Sequence, residues 1–73
     1  LISAGFDCLA GDPLGSFTLT PADLHGMTRE VMDVASRHCG DRLVGILEGG
    51  YEPGGVGSGV VAVIRALAGL PLP

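Results

Sequence analysis

Apolar positions fall into four clusters along the chain, separated by stretches rich in Gly, Asp, Pro and Ser. Leu1-Ile2-Ser3-Ala4 is a short, mostly apolar run stopped by Gly5, the pattern of a buried strand rather than a half-exposed one. Gly5 to Thr18 has the composition of a loop, and a loop this long in a compact domain is usually functional. Thr20-Pro21-Ala22-Asp23 then opens a helix, with a hydroxyl at the N-cap, Pro at the first helical position and a carboxylate at the third that can bond back to the cap. Leu24, Met27, Val31, Val34 and Ala35 follow at spacings of three and four and predict one core-facing stripe. His25 is expected on the helix surface. Arg37 and His38 suit the last turn, His38 as a capping group, and Gly40 supplies the left-handed stop.

Leu43-Val44-Gly45-Ile46-Leu47 predicts a second strand, apolar on both faces and therefore central in a parallel sheet. A Gly-rich loop from Glu48 to about Gly55 follows. From about Val56 to Ala68 the pattern is helical, with Val60, Val61, Ile64 and Leu67 as the expected buried face and Gly69 and Pro71 as the stop. The order is strand, loop, helix, strand, loop, helix, which predicts a right-handed parallel crossover. Both unusual loops then leave the carboxyl ends of parallel strands, the side on which open α/β sheets bind ligands. Two strands and two helices cannot cover both faces and both edges of such a sheet. The chain also begins at Leu1 inside an apolar run, so it is expected to be a segment of a longer protein that is not stable alone.

Composition narrows the function classes. The chain has 73 residues, 47% of them apolar and only 16% charged, which excludes intrinsic disorder. No apolar run reaches the length of a membrane span. The net charge is −4, and all four basic residues are Arg, so the basic stripe of a nucleic-acid-binding surface is missing. Cys8 and Cys39 show neither a CxxC nor a metal-ligand rhythm; two reduced thiols and a cytoplasmic setting are expected.

Two residues stand out for chemistry. Asp12 lies between Gly11 and Pro13, where the backbone has few alternatives and a carboxylate is well placed as a metal ligand; from spacing alone, a turn-capping role outweighs that one. Tyr51, the only Tyr, follows Gly49-Gly50 directly after the second strand. It is either a directional donor beside a closely approached ligand or a ring packed over its own loop. Asp7 is read as a turn or loop-bracing residue. Gly57-Ser58-Gly59-Val60-Val61-Ala62 satisfies a relaxed dinucleotide-binding pattern, but too far past the strand, and without Lys there is no P-loop.

Taken together, Ser3-Ala4-Gly5-Phe6-Asp7, Gly11-Asp12-Pro13-Leu14-Gly15, Leu19-Thr20-Pro21 and Leu47-Glu48-Gly49-Gly50-Tyr51 resemble, in order and in spacing, the carboxyl-terminal part of the histone deacetylase superfamily. The likeness is greatest to its class II branch and to the bacterial acetylpolyamine amidohydrolases. It implies an α/β, three-layer arginase/deacetylase-like fold with a parallel sheet, of which residues 1–73 are an incomplete piece. It also implies that Asp12 is a ligand of a catalytic zinc ion and that Tyr51 donates a hydrogen bond to the acetamide carbonyl. Gly49 and Gly50 would line the substrate tunnel, with Leu19 on its apolar wall. Position 51 is Tyr, not the His of the weakly active animal branch.

The substrate so implied is an acetylated amine: a protein lysine, a polyamine or a small metabolite. The family's Asp-x-His pair and tandem His base have no counterpart in this sequence, so the 73 residues alone are expected to be inactive. A non-catalytic binding or scaffold domain is the alternative, and a nucleotide-binding α/β fragment a weaker one.

Overall fold

Strand β1 (Ile2–Ala4), helix α1 (Pro21–His38), strand β2 (Gly45–Leu47) and helix α2 (Pro53–Leu67) follow one another in a computed structural model that describes residues 1–72. The strands pair in parallel, Ile2 with Gly45, Ser3 with Ile46 and Ala4 with Leu47. The pairing is extended at both ends, by Ile2 N–H on the Val44 carbonyl at 2.8 Å and Glu48 N–H on the Ala4 carbonyl at 3.0 Å. This is the parallel α/β unit expected from the apolar pattern, with each strand shorter than its apolar run. None of the helices described is long and apolar enough to cross a membrane.

The start of α1 follows the sequence residue by residue. Asp23 N–H donates to the Thr20 hydroxyl oxygen at 3.3 Å, and Thr20 N–H donates to Asp23 Oδ2 at 2.8 Å. The reciprocal pair satisfies two backbone donors that a helix start would otherwise leave open. These donors to Asp23, from the Thr20 backbone first and its hydroxyl second, hold the carboxyl below its ordinary value against a smaller effect of burial. At the other end Gly40 (φ 58°) turns left-handed as expected, and Asp41 (φ 62°) continues the turn with its N–H on the Ala35 carbonyl.

Helix α2 departs from the expected boundaries and face. It starts at Pro53, three residues early, because Glu52 is a good N-cap: its carboxylate accepts from Gly54 N–H at 3.1 Å and from Gly55 N–H, and Pro53 needs no hydrogen bond at the first position. Its buried face is Gly59, Ala62 and Ala66, with Val56, Val60 and Val63 half-buried, whereas Val61, Ile64 and Leu67 are exposed. The cause is close packing on α1. A Cβ at Gly59 would stand 3.0 Å from Leu24, 3.1 Å from Leu9 and 3.2 Å from Phe6, so only the smallest residue lets α2 approach. Phe6, Leu9 and Leu24 form the core at this contact.

His25 is a second correction. It is buried, not on the helix surface, and its Nε2 lies 2.8 Å from the Leu70 carbonyl, where the ring ties α1 to the chain after α2. His38 remains exposed in the last turn, and Cys39 occupies the cap with its N–H on the Ala35 carbonyl at 2.8 Å. Along the predicted α1 stripe, Leu24 and Ala35 are buried while Met27 and Val34 are about half exposed. A cleft of about 170 Å³, lined among others by Ala4, Phe6, Val31, Leu43 and Val63, separates the strand pair from the helices.

Candidate functional site

Parallel pairing brings the ends of β1 and β2 side by side, so the loops that follow them meet. Phe6 N–H donates to the Gly49 carbonyl at 2.7 Å and fastens one loop to the other immediately past the strands. The first loop then folds back on itself. Leu9 N–H reaches the Phe6 carbonyl, Asp12 N–H reaches the Leu9 carbonyl, and Ala10 N–H meets the Leu19 carbonyl at 2.9 Å. Leu9 and Leu19 form a short parallel bridge at its base.

Asp12 sits where the loops touch. Its Oδ1 accepts from Leu14 N–H at 2.9 Å and Gly15 N–H at 3.0 Å, the turn-capping role that Asp-Pro-Leu-Gly allows. Its Oδ2 accepts from Tyr51 N–H at 2.7 Å, across 39 residues of sequence. The residue is buried, at 8% exposure. Burial pushes its carboxyl up, but the amides of Tyr51, Leu14 and Gly15 together outweigh it and hold the carboxyl below the ordinary aspartate value. Asp12 is therefore an ionised carboxylate fixed in one orientation. The turn and ligand readings do not compete: three amides set the group, Oδ1 takes two of them, and Oδ2, with one, keeps an acceptor site open.

Tyr51 is the reverse case, a backbone held tightly under a side chain that is 53% exposed. Gly50 makes that geometry possible. Its φ of 135° is one that side-chain-bearing residues rarely adopt, and a Cβ there would come within 2.6 Å of Val56 and 3.3 Å of Phe6. Asp12, Gly49, Gly50 and Tyr51 thus form one cluster. Leu19 stands at the base of the same loop, half-buried, with its N–H on the Cys8 carbonyl at 3.2 Å.

Three residues of this region carry more than the sequence suggested. Glu52 fills the start of α2 with its own carboxylate, and the glycines after it are helical. The dinucleotide-type pattern at Gly57–Ala62 therefore lies inside a helix and forms no phosphate-cradling turn, which removes the nucleotide-binding reading. The signal was present: Glu52-Pro53 is a cap followed by a first-turn proline. Asp7 and Gly15, the other two, pack against one another, and the Asp7 carboxyl group lies beside Gly49.

Residues 1–67 match the Histone deacetylase domain family. The chain belongs to the histone deacetylase family. It is 44% identical over 69 residues to Histone deacetylase 15 of Arabidopsis thaliana, covering 94% of this chain and 12% of that protein. It is 41% identical over 70 residues to the Histone deacetylase-like amidohydrolase of Pseudomonas aeruginosa, covering 96% of this chain and 18% of that protein. Among solved structures, the HDA15 HD domain superposes with a TM-score of 0.84 at 42% identity, over 99% of this chain and 19% of that one. The histone deacetylase Clr3 gives 0.85 at 36% identity, over 100% of this chain and 12% of that one. The fold is thus a piece of the α/β deacetylase domain, as the motifs implied. The chain spans less than a fifth of each of these four.

That share bears on the metal. Asp12 suits a zinc ligand, being anionic, oriented and able to accept further bonds, but a catalytic site needs about three protein ligands. Among the described residues no group of three or more His, Cys, Asp and Glu side chains could hold a metal ion. The described residues hold one carboxylate suited to a metal and no complete site.

Proposed function

We propose that this chain is the carboxyl-terminal part of one deacetylase domain. In this reading its full-length parent hydrolyses the N-acetyl amide of a protein lysine, a polyamine or a small metabolite to acetate and a free amine. The observation that carries the reading is the 2.7 Å bond from Tyr51 N–H to Asp12 Oδ2, which joins the two chemistry-bearing residues of separate loops into one rigid unit. Asp12 offers an ionised carboxylate as one ligand of a zinc ion, the other ligands coming from the rest of the parent. Zinc held there would supply Lewis acidity to the amide carbonyl. Tyr51 provides a phenol on a fixed backbone, free to donate to the oxygen that gains charge as the amide is attacked. Gly49 and Gly50, directly before Tyr51, would line the tunnel for the acyl group through their backbone. Cys8 and Cys39 are free thiols, which suits a reducing, cytoplasmic setting.

The test is Tyr51→Phe in the full-length protein, assayed on acetyl-lysine peptides and an acetylpolyamine. We expect kcat to fall about 10²- to 10³-fold, the scale of one lost oxyanion donor, with the fold retained. Unchanged kcat would remove Tyr51 from the chemistry, whereas absence of turnover by the wild-type protein would put the non-catalytic domain first. The isolated 73 residues are expected to give no turnover with or without added zinc; zinc-dependent turnover by them would refute the one-ligand reading.

A further inference from the structure

Asp7 is the residue of the site region that the proposed chemistry leaves unused, and three glycines converge on it. A Cβ at Gly49 would stand 3.2 Å from the Asp7 Cγ and Oδ2 and 3.3 Å from its Oδ1, so the carboxyl group lies flat against the second loop. A Cβ at Gly5 would stand 3.3 Å from the same Oδ1. A Cβ at Gly15 would overlap the Asp7 carbonyl oxygen, so the returning half of the first loop is pressed on the Asp7 backbone. Gly15 N–H in turn donates to Asp12 Oδ1, and Asp12 Oδ2 accepts from Tyr51, two residues beyond Gly49. The contacts close a ring: Asp7, Gly15, Asp12, Tyr51, Gly49 and back to Asp7.

We infer that Asp7 is a positioning residue, a wedge whose backbone seats the Asp12 turn and whose carboxyl group fixes how far the Gly49–Tyr51 loop approaches it. The wedge acts through shape. With its exposed carboxyl group in place, a Cβ at Gly5 or Gly49 is crowded to 3.2–3.3 Å, and without it the second loop loses its stop. This role rests on the deacetylase reading only for its effect on turnover; its effect on loop geometry stands without it.

The experiment is a double-mutant cycle of Asp7→Ala and Gly49→Ala in the full-length protein, with Asp7→Asn as the shape-preserving control. Turnover of an acetyl-lysine peptide is measured, together with hydrogen exchange at the Tyr51 amide. Gly49→Ala forces the new methyl against the Asp7 carboxyl group. The crowding displaces the loop by a few tenths of an ångström, so kcat is expected to fall about tenfold, with KM within about threefold, and exchange at Tyr51 to speed up. Removing the carboxyl group makes room for that methyl, so the double variant recovers most of the loss and part of the protection. Asp7→Asn recovers most of what Asp7→Ala loses. Multiplicative losses in the double variant, or Tyr51 exchange indifferent to Asp7→Ala, would overturn the wedge. If Gly49→Ala fails to fold, rescue of folding by Asp7→Ala supports it and failure of rescue overturns it. Should the wild-type parent show no turnover, the deacetylase reading falls, and the exchange arm still decides the role of Asp7.

Discussion

The loops at the strand ends and the outer flank of the strands and α2 handle their surroundings in opposite ways. In the loops nearly every functional group finds a partner inside the chain: Asp12 takes three amides, Gly49 takes the Phe6 amide, and Glu52 covers its own helix start. On the flank, Val44, Ile46, Leu47, Val61 and Ile64 are each about half exposed or more. The difference lies in what each kind of group requires. A carboxylate is satisfied by a few directional bonds that a short loop supplies, whereas apolar area needs bulk on its far side, and a chain of this size buries a smaller share of its surface than a larger domain does. Site geometry is therefore settled locally, and the surroundings of the site are not.

Breaking the local side is expected to give the largest effect. Asp12→Ala in the full-length protein strips the acceptor from three amides and removes the carboxylate; turnover should drop below detection and the Tyr51 amide should lose protection in hydrogen exchange. Retained protection at Tyr51 would mean that the loops are held by something other than Asp12. Next comes the flank. If the rest of the full-length protein packs on this flank, Ile64→Asp lowers its urea-unfolding free energy by about 3 kcal/mol, while Ser36→Asp on exposed α1 stays within about 0.5 kcal/mol. Equal small changes would show the flank to be a true outer surface.

Gly50→Ala should cost about 2 kcal/mol, from the unusual φ and from the contact with Val56, and can be read from the thermal midpoint. The smallest effect belongs to the α1 cap. The folded-state carboxyl of Asp23 lies below its unfolded value, so its contribution is complete above the ordinary aspartate value and is lost as pH falls through the lower folded one. Asp23→Ala should be less stable than the parent sequence at neutral pH and equal to it in strong acid. A difference that persists in acid would assign the effect to something other than the carboxylate.

What could be read from the sequence follows the same division. Thr20, Pro21 and Asp23 declare the start of α1 within four residues, and the structure places each in its predicted role. The boundary of α2 was misplaced because Gly54 and Gly55 read as loop, although Glu52-Pro53 had already set the helix start. Its buried face was misassigned because hydrophobicity singles out Val61, Ile64 and Leu67, while contact with α1 selects the small Gly59, Ala62 and Ala66. His25 could not be placed from local pattern at all, since its partner is a backbone carbonyl 45 residues away. For the site, residue type and spacing singled out Asp12 and Tyr51 as candidates, the family resemblance gave them roles, and the structure brings their two loops together at one hydrogen bond. The wedge at Asp7 was not legible, because it depends on which glycines face it once the strands have paired.

The strand register also fixes an order in time. Ile2 meets Gly45, and Ala4 meets Leu47, so no ladder bond forms until the long first loop and all of α1 have been closed into one circuit. Distant closure is entropically costly and comes late, whereas α1 caps itself across three residues. A chain leaving the ribosome therefore acquires a capped helix well before it acquires the Asp12–Tyr51 pair. Any treatment that merely loosens the strand pair erases the chemistry first and the helical signal afterwards.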